Sequence, residues 1–371
     1  MAESKKNFDE VFEDVTKHGT KIKTDEYHSQ GKYQIIDQGQ EAIAGYTDLE
    51  DGVFKSVPAI VFGDHTRIVK YVDEPFFLGA DGVKVLRSRF TDANYRYLYY
   101  ALKNVKIPDT GYNRHFKWLK EAQISYPSAE RQSQIVSILD GISSIIGCYE
   151  QQLQKLDELV KARFVEMFGD PVNNSFGLRT KPMTEICEII DGDRGKNYPA
   201  ANDFSDSGYC LFLNAKNVTL DGFNFENCMY ITKEKDETLR KGRLNRGDVV
   251  LTTRGTIGNL ALYTDEIPFE HIRINSGMVI LRMKKVVDAV YFIEHFKMQL
   301  TDIKEKIASG SAQPQLPIST MNQVQILLPE IEQQRTFSDF VKKIDKSKAV
   351  IQEALNNAQL LFDSLMQQYL A

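Results

Sequence analysis

The stretches ISYPSAERQSQIVSILD (124–140) and ILLPEIEQQRTFSDFVKKID (326–345) carry one pattern at two places in the chain. Each has a proline (Pro127, Pro329), two residues, then Glu-X-Gln starting at Glu130 or Glu332, then a long run of spaced apolar residues. From Ile135, the positions Leu139, Ile142, Ile146, Tyr149, Leu153, Leu156, Val160, Arg163 and Met167 follow in alternating steps of four and three. This is heptad spacing with one polar intruder, the mark of a helix that lays a stripe against a partner helix. Adding 202 to each number gives Phe337, Val341, Ile344, Lys348, Ile351, Leu355, Ala358, Phe362, Leu365 and Tyr369, the same seam with one intruder. Two long helices are expected, over 128–168 and 330–370, each about 60 Å long. Proline is tolerated at or just before a first helical turn, and a glutamate there suits the macrodipole. Gly169 and Pro171, in FGDPVNN (168–174), end the first helix.

A seam of that length needs a partner, and its own copy is the nearest one. The chain leaves the first helix, passes through residues 170–325 and enters the second, so an antiparallel coiled coil is expected, with a globular region at each end. Both other segments break into short apolar runs separated by Gly, Asp and Asn turns. In 7–125 these are GKYQIIDQGQ (31–40), PAIVFGDHTRIVKYV (58–72) and PFFLGADGVKVL (75–86). In 180–325 they are YCLFLNAKNV (209–218), GDVVLTTRGTIGNLALY (247–263) and SGMVILRM (276–283). Shorter helical patterns, TDANYRYLYYALKNV (91–105) and VDAVYFIEHFKMQLTDIKEKI (287–307), stand between these strands and the long helices. The fold class is therefore α+β, a pseudo-twofold tandem repeat of an α/β module plus a helix. The divisions fall at 1–125 (first module), 126–170 (first helix), 171–327 (second module) and 328–371 (second helix). The modules are much less alike in sequence than the helices, which suggests two related heads that recognise different things.

Composition narrows the function. The length of 371 residues suggests two or three domains. The four cysteines, Cys148, Cys187, Cys210 and Cys228, are scattered, which implies neither a zinc site nor a disulfide framework and fits a reduced cytoplasm. The N-terminus is polar and acidic, unlike a signal peptide, and no apolar run is long enough to span a membrane. A net charge of −5 argues mildly against nucleic acid. Residues 1–120 balance 18 basic against 18 acidic side chains, however, so a local basic face remains open.

Several loops carry polar, anion-facing residues. In LTTRGTIGNLA (251–261), Thr252, Thr253, Arg254 and Thr256 surround a glycine turn suited to phosphate. A plain tight hairpin, whose glycines only satisfy backbone geometry, is the alternative. The loop IIDGDRGKNYPA (189–200) offers Arg194, Lys196 and Asn197 with Tyr198, and LFLNAKNV (211–218) adds Lys216 with Asn214 and Asn217. A solvated loop is the alternative for both. In the first module, VFGDHTRIVKY (61–71) places His65, Thr66, Arg67 and Lys70 on a turn after Asp64. TGYNRHFKW (110–118) interleaves Arg114, His115 and Lys117 with Tyr112, Phe116 and Trp118, and SGSAQPQLP (309–317) occupies the matching place before the second helix. Both could equally be docking segments for the helices. No Walker A loop, Asn/Asp-Pro-Pro-Tyr/Phe motif, S-adenosylmethionine glycine loop or nuclease carboxylate cluster is present, so the chain shows no chemistry of its own.

The paired Pro-X-X-Glu-X-Gln helix starts, IDQGQEAIAGYTD (36–48), VFGDHTRIVKYVDEPFFLGADGVKVL (61–86) and GDVVLTTRGTIGNLAL (247–262) together resemble the specificity (S) subunit of a type I restriction-modification system. The resemblance covers essentially the whole chain. It implies two target-recognition domains, each binding one half of a bipartite site in double-stranded DNA from the major groove, with the helices fixing the spacing. A rod of about 60 Å spans at most about 18 base pairs. The resemblance further implies a non-catalytic, cytoplasmic chain that docks two methyltransferase (M) subunits along its helices and joins restriction/translocase (R) subunits. S-adenosylmethionine, ATP and Mg would then belong to those partners, with no cofactor in this chain. The first module begins almost at Met1, which resembles a compact member of the family. Base-reading residues do not transfer, because these loops vary between members. An enzyme fused to a methylation or restriction domain, and a coiled-coil scaffold with two ligand-binding heads, are the competing classes.

Overall fold

A computed structural model describes residues 5–371 except 80, 112 and 309–314. Tyr112 and most of the SGSAQPQLP segment therefore lie outside the described residues. Two compact units are present: Met1–Gln151 with Gln352–Ala371, and Gln152–Ile351.

In the first unit, β1 (Lys5–Asn7), α1 (Phe8–Val11) and β2 (Phe12–Asp14) precede β3 (Tyr33–Ile36) and β4 (Gly45–Thr47). The hairpin β5 (Ala59–Gly63) and β6 (Val69–Val72) follows, then β7 (Phe76–Leu78) and β8 (Val83–Ser88). Helices α2 (Tyr95–Lys103) and α3 (Phe116–Lys120) lead through β9 (Gln123–Ser125) into α4 (Ala129–Phe168). The strands form a four-stranded sheet β2-β8-β5-β6, a three-stranded sheet β4-β3-β7 and a ribbon β1-β9. Alternation along the strands explains why both faces are apolar. Ile60, Phe62 and Leu86 pack with α2, whereas Ala59, Val61 and Val85 face Phe54, Phe76 and Leu78.

The second unit has β10 (Thr180–Pro182), α5 (Met183–Ile186), β11 (Cys187–Asp191) and β12 (Cys210–Leu213). The small ribbon β13 (Val218–Thr219) and β14 (Gly222–Phe223) comes next, then β15 (Tyr230–Ile231) and α6 (Lys233–Thr238). The hairpin β16 (Val249–Thr252) and β17 (Leu260–Leu262) precedes β18 (Ile272–Ile274) and β19 (Met278–Met283). Helices α7 (Ala289–Ala308) and α8 (Ile318–Met321) lead through β20 (Gln325–Leu327) into α9 (Ile331–Leu370). Its sheets run β11-β19-β16-β17, β15-β12-β18 and β10-β20. This is the topology of the first unit strand for strand, including the parallel pairs β3–β7 and β12–β18. The modules differ far less than their sequences indicate, because a sheet constrains only the polarity pattern of its strands. The insertion of β13, β14 and α6 between β12 and β16 is the main addition.

The long helices are 40 residues each and pack against one another in antiparallel fashion. In the first unit, Ile135 and Leu139 of α4 share a core with Phe362, Met366 and Leu370 of α9. In the second, Val160, Phe164 and Phe168 share a core with Phe337 and Val341. There the Phe337 ring lies 5.4 Å from Phe164 and 5.7 Å from Phe168, both edge-on. All ten seam positions on each helix are buried or half-buried, the mid-helix ones only half, as a two-helix contact leaves them.

The repeated opening motif has a structural cause. Gln132 Nε2 donates to the Pro127 carbonyl at 3.0 Å, and Gln334 Nε2 donates to the Pro329 carbonyl at 2.8 Å. Both glutamines are buried, while Glu130 and Glu332 are exposed. A matching pair of bonds joins each module to its helix start: Tyr97 Oη donates to Ser125 O at 2.9 Å, and Tyr291 Oη to Leu327 O at 3.0 Å.

Candidate nucleic-acid interface

Segments far apart in sequence, four in the first module and five in the second, meet at the tip of each central hairpin. In the first, the turn after β5 is held by Asp64 N–H donating to Gly82 O (2.7 Å) and His115 N–H donating to Asp64 O (2.7 Å). Gln38 ties the third segment in: its side-chain oxygen accepts from His65 N–H (3.2 Å), its carbonyl from Thr66 Oγ1 (2.6 Å), and its Nε2 donates to Asp81 O (3.0 Å). A Cβ on Gly63 would lie 2.1 Å from Thr66 Oγ1, so this close approach requires glycine. Arg67 adopts φ +63, and its Nη2 donates to Asp109 Oδ2 at 2.9 Å.

The second module repeats this framework with other side chains. Thr253 N–H donates to Gly277 O (2.8 Å), and Leu316 N–H donates to Thr253 O (2.9 Å). Asn259 Nδ2 reaches Val218 O at 2.9 Å, tying the 214–218 segment to the turn. The loop after β11 joins through Arg194, whose Nη2 donates to Ser276 O (3.3 Å) and Asp191 Oδ1 (3.1 Å). A Cβ on Gly192 would lie 2.2 Å from Asn275 O, so that loop sits directly against the 275–277 turn. The Gly195 and Arg240 N–H groups hold the Asp193 carboxyl below its usual range, with the Gly195 bond the largest cause.

The structure therefore gathers Arg67, Thr66 and Arg114 at one hairpin tip, and Arg194, Arg254, Thr256 and Lys216 around the other, all with at least part of their surface open to solvent. Lys196 and Asn197 are exposed on the same loop as Arg194, with Asn197 Nδ2 donating to Thr238 O at 3.2 Å. His65 is half-buried, with Nδ1 at 3.2 Å from Asn113 O.

Other candidates turn inward. Lys70 is 8% exposed and bonds Glu41 O (2.6 Å) and Asp37 Oδ1 (3.3 Å), and burial lowers its pKa. His115 is buried against Asp64 O (3.0 Å). Thr252 bonds the carbonyls of Thr256 and Asn259, and Thr253 Oγ1 donates to Gly277 O at 3.0 Å. In these four residues the polar group is spent inside the module, on the turn or on the 37–41 loop, and of LTTRGT only Arg254, Gly255 and Thr256 reach the surface. Gln38 and Gln315 went unnoticed as organisers of the turns, and so did exposed Arg240 and Lys241. The basic run LRKGRLNR (239–246) was the available signal. Among the described residues, no group of three or more His, Cys, Asp or Glu could hold a metal, and no helix is long and apolar enough to cross a membrane.

Two modules of one topology, each with a polar hairpin tip and joined by a paired-helix seam, define a duplicated recognition scaffold. The chain belongs to the type I restriction modification DNA specificity domain family, whose model matches residues 4–158 and again 177–359. It is 25% identical over 276 residues to the MjaVIII type I restriction enzyme specificity subunit of Methanocaldococcus jannaschii, covering 67% of this chain and 63% of that protein. It is 27% identical over 149 residues to the EcoR124I/EcoR124II specificity subunit of Escherichia coli, covering 36% of each. The match thus spans just under two thirds of the first relative's length. The fold is shared with the type I restriction-modification S subunit of M. genitalium (17% identity, TM-score 0.59, 99% of this chain and 96% of that one). It is also shared with a chain from a structure on complex assembly and conformational transition of the type I R-M system (15% identity, TM-score 0.52, 98% and 95%).

Proposed function

We propose that this chain is the non-catalytic DNA-specificity subunit of a type I restriction-modification complex. Each module binds one half of a bipartite site in double-stranded DNA, and the helix pair sets the distance between the halves. The observation that carries this reading is the double match of one DNA-specificity family to two modules of identical strand order. The exposed basic side chains at each hairpin tip supply the anion-facing groups that DNA requires.

The helices are the docking surface for methyltransferase subunits. Besides its seam, α4 exposes Ile138, Ile145 and Leu159, which lie seven and fourteen residues apart and therefore on one face beside the seam. Apolar groups in that arrangement favour a protein partner over DNA. Restriction subunits complete the assembly, S-adenosylmethionine, ATP and Mg reside on the partners, and the complex works in the cytoplasm.

The test is to reconstitute the chain with its methyltransferase subunits and map methylated positions on DNA. The expected result is methylation confined to one bipartite sequence, with both halves required. A reconstituted complex that neither binds DNA nor methylates at a defined sequence overturns the proposal.

A further inference from the structure

Arg254 differs from the other exposed cations in how its guanidinium is held. Its backbone is fixed from two sides: its N–H donates to Gly277 O at 3.2 Å, and it bridges antiparallel to Gln315. Its side chain is fixed as well, with Nε donating to Gln315 Oε1 at 3.2 Å. With Nε occupied, the two terminal nitrogens present an end-on planar fork from an exposed turn. Arg194 already divides Nη2 between Asp191 and Ser276, and Arg67 spends Nη2 on Asp109, so neither offers that free fork.

An end-on guanidinium fork matches one target on a base-pair edge, the O6 and N7 acceptors of guanine in the major groove. The same planar fork also fits phosphate oxygens, so a fork aimed in advance by Gln315 is distinguished as a base reader by the sequence dependence of its contribution. We infer that Arg254 reads a guanine in the half-site bound by the second module, with Gln315 as the positioning residue that aims it. This inference rests on the DNA-recognition reading above and sharpens it to one residue and one base.

The test selects binding sites for the full complex, chain plus methyltransferase subunits, from a randomised double-stranded DNA library. Wild type is expected to enrich a bipartite motif containing a guanine that Arg254→Ala no longer selects, with a loss of about 10- to 100-fold in preference at that base pair. The other half of the motif stays unchanged. Substituting 7-deazaguanine, which lacks N7, at that base weakens wild type and leaves Arg254→Ala unaffected. Gln315→Ala relaxes the same position partially, and Gln315→Glu, which retains the acceptor, restores it.

An unchanged motif in Arg254→Ala overturns the inference, whether affinity stays the same or falls equally for all sequences; a uniform fall would make Arg254 a phosphate contact. Insensitivity of wild type to 7-deazaguanine overturns it without relying on any variant. If the wild-type complex enriches no motif, the recognition reading fails first and this inference with it.

Discussion

The buried glutamine of the repeated motif allows a quantitative comparison between the two halves of the chain. Gln334 serves three backbone groups: Nε2 donates to the buried Pro329 O (2.8 Å) and to the part-buried Val286 O (3.2 Å), and Oε1 accepts from the part-buried Asp288 N–H (2.9 Å). Gln132 donates to Pro127 O at 3.0 Å and also bonds Tyr126. Truncation to alanine orphans these partners, at about 1–3 kcal/mol for a buried group and less for the half-buried or exposed ones that water can reach, with carbonyls at the lower end. Gln334→Ala should therefore cost about 3 kcal/mol and Gln132→Ala about 2. Unit two spans Gln152–Ile351, and for a unit of that size each kcal/mol moves Tm by about 2–4 °C. The expected shifts are about 8 °C for Gln334→Ala and about 5 °C for Gln132→Ala.

Calorimetry on the full chain measures the shifts. Hydrogen exchange assigns them, because the Asp288 amide loses its acceptor only in Gln334→Ala. If Gln334→Ala moves Tm by less than 2 °C, or leaves the Asp288 amide as protected as in wild type, the glutamine is not the staple argued above. If Gln132→Ala costs more than Gln334→Ala, counting orphaned partners is the wrong basis for the estimate.

Three further outcomes are expected. Phe337→Ala, which empties the edge-on contacts to Phe164 and Phe168, should cost about 3–5 kcal/mol in denaturant unfolding; a change under 1 kcal/mol would show that the seam collapses around the gap. His295 is fully buried and accepts from Leu327 N–H through Nε2, and burial pushes its pKa down to about 3. Its folded pKa lies below the unfolded value of about 6.5, so its contribution is present above that value and is lost as pH falls toward 3. Between pH 7.5 and 5.5 the loss is about 1 kcal/mol, and unfolding should take up close to one extra proton at pH 5.5 that His295→Gln abolishes. Inserting one heptad at matching seam positions of both helices adds about 10 Å, so the unread spacer of the methylated sequence should lengthen by about 3 base pairs with both halves unchanged.

The helix pair was legible because its signal is local and repeated: steps of four and three over ten positions leave little freedom. The strands were legible for a similar reason, as continuous apolar runs such as AIVFG (59–63) and VVL (249–251). The direction of each polar residue in the hairpin tips was not legible, since it depends on partners far away in sequence. Thr66 and His65 are set by Gln38, Lys70 by Asp37 and Glu41, and Thr253 by Gly277. Lys70 and Arg67 are both cations in one short motif, yet one is drawn inside and the other left at the surface.

The same distinction accounts for two modules with one topology and dissimilar sequences. The bonds that the two hairpin tips have in common are backbone bonds: Asp64 N–H to Gly82 O matches Thr253 N–H to Gly277 O, and His115 N–H to Asp64 O matches Leu316 N–H to Thr253 O. Backbone bonds place almost no demand on side-chain identity, so the framework persists while the side chains at the tip change. His65, Thr66 and Arg67 in one module give way to Arg254, Gly255 and Thr256 in the other. On the proposed reading, that separation lets one scaffold present two different half-site readers. The helix starts cannot vary in the same way, because a buried glutamine side chain performs the bonding there, and the sequence repeats at those positions for that reason.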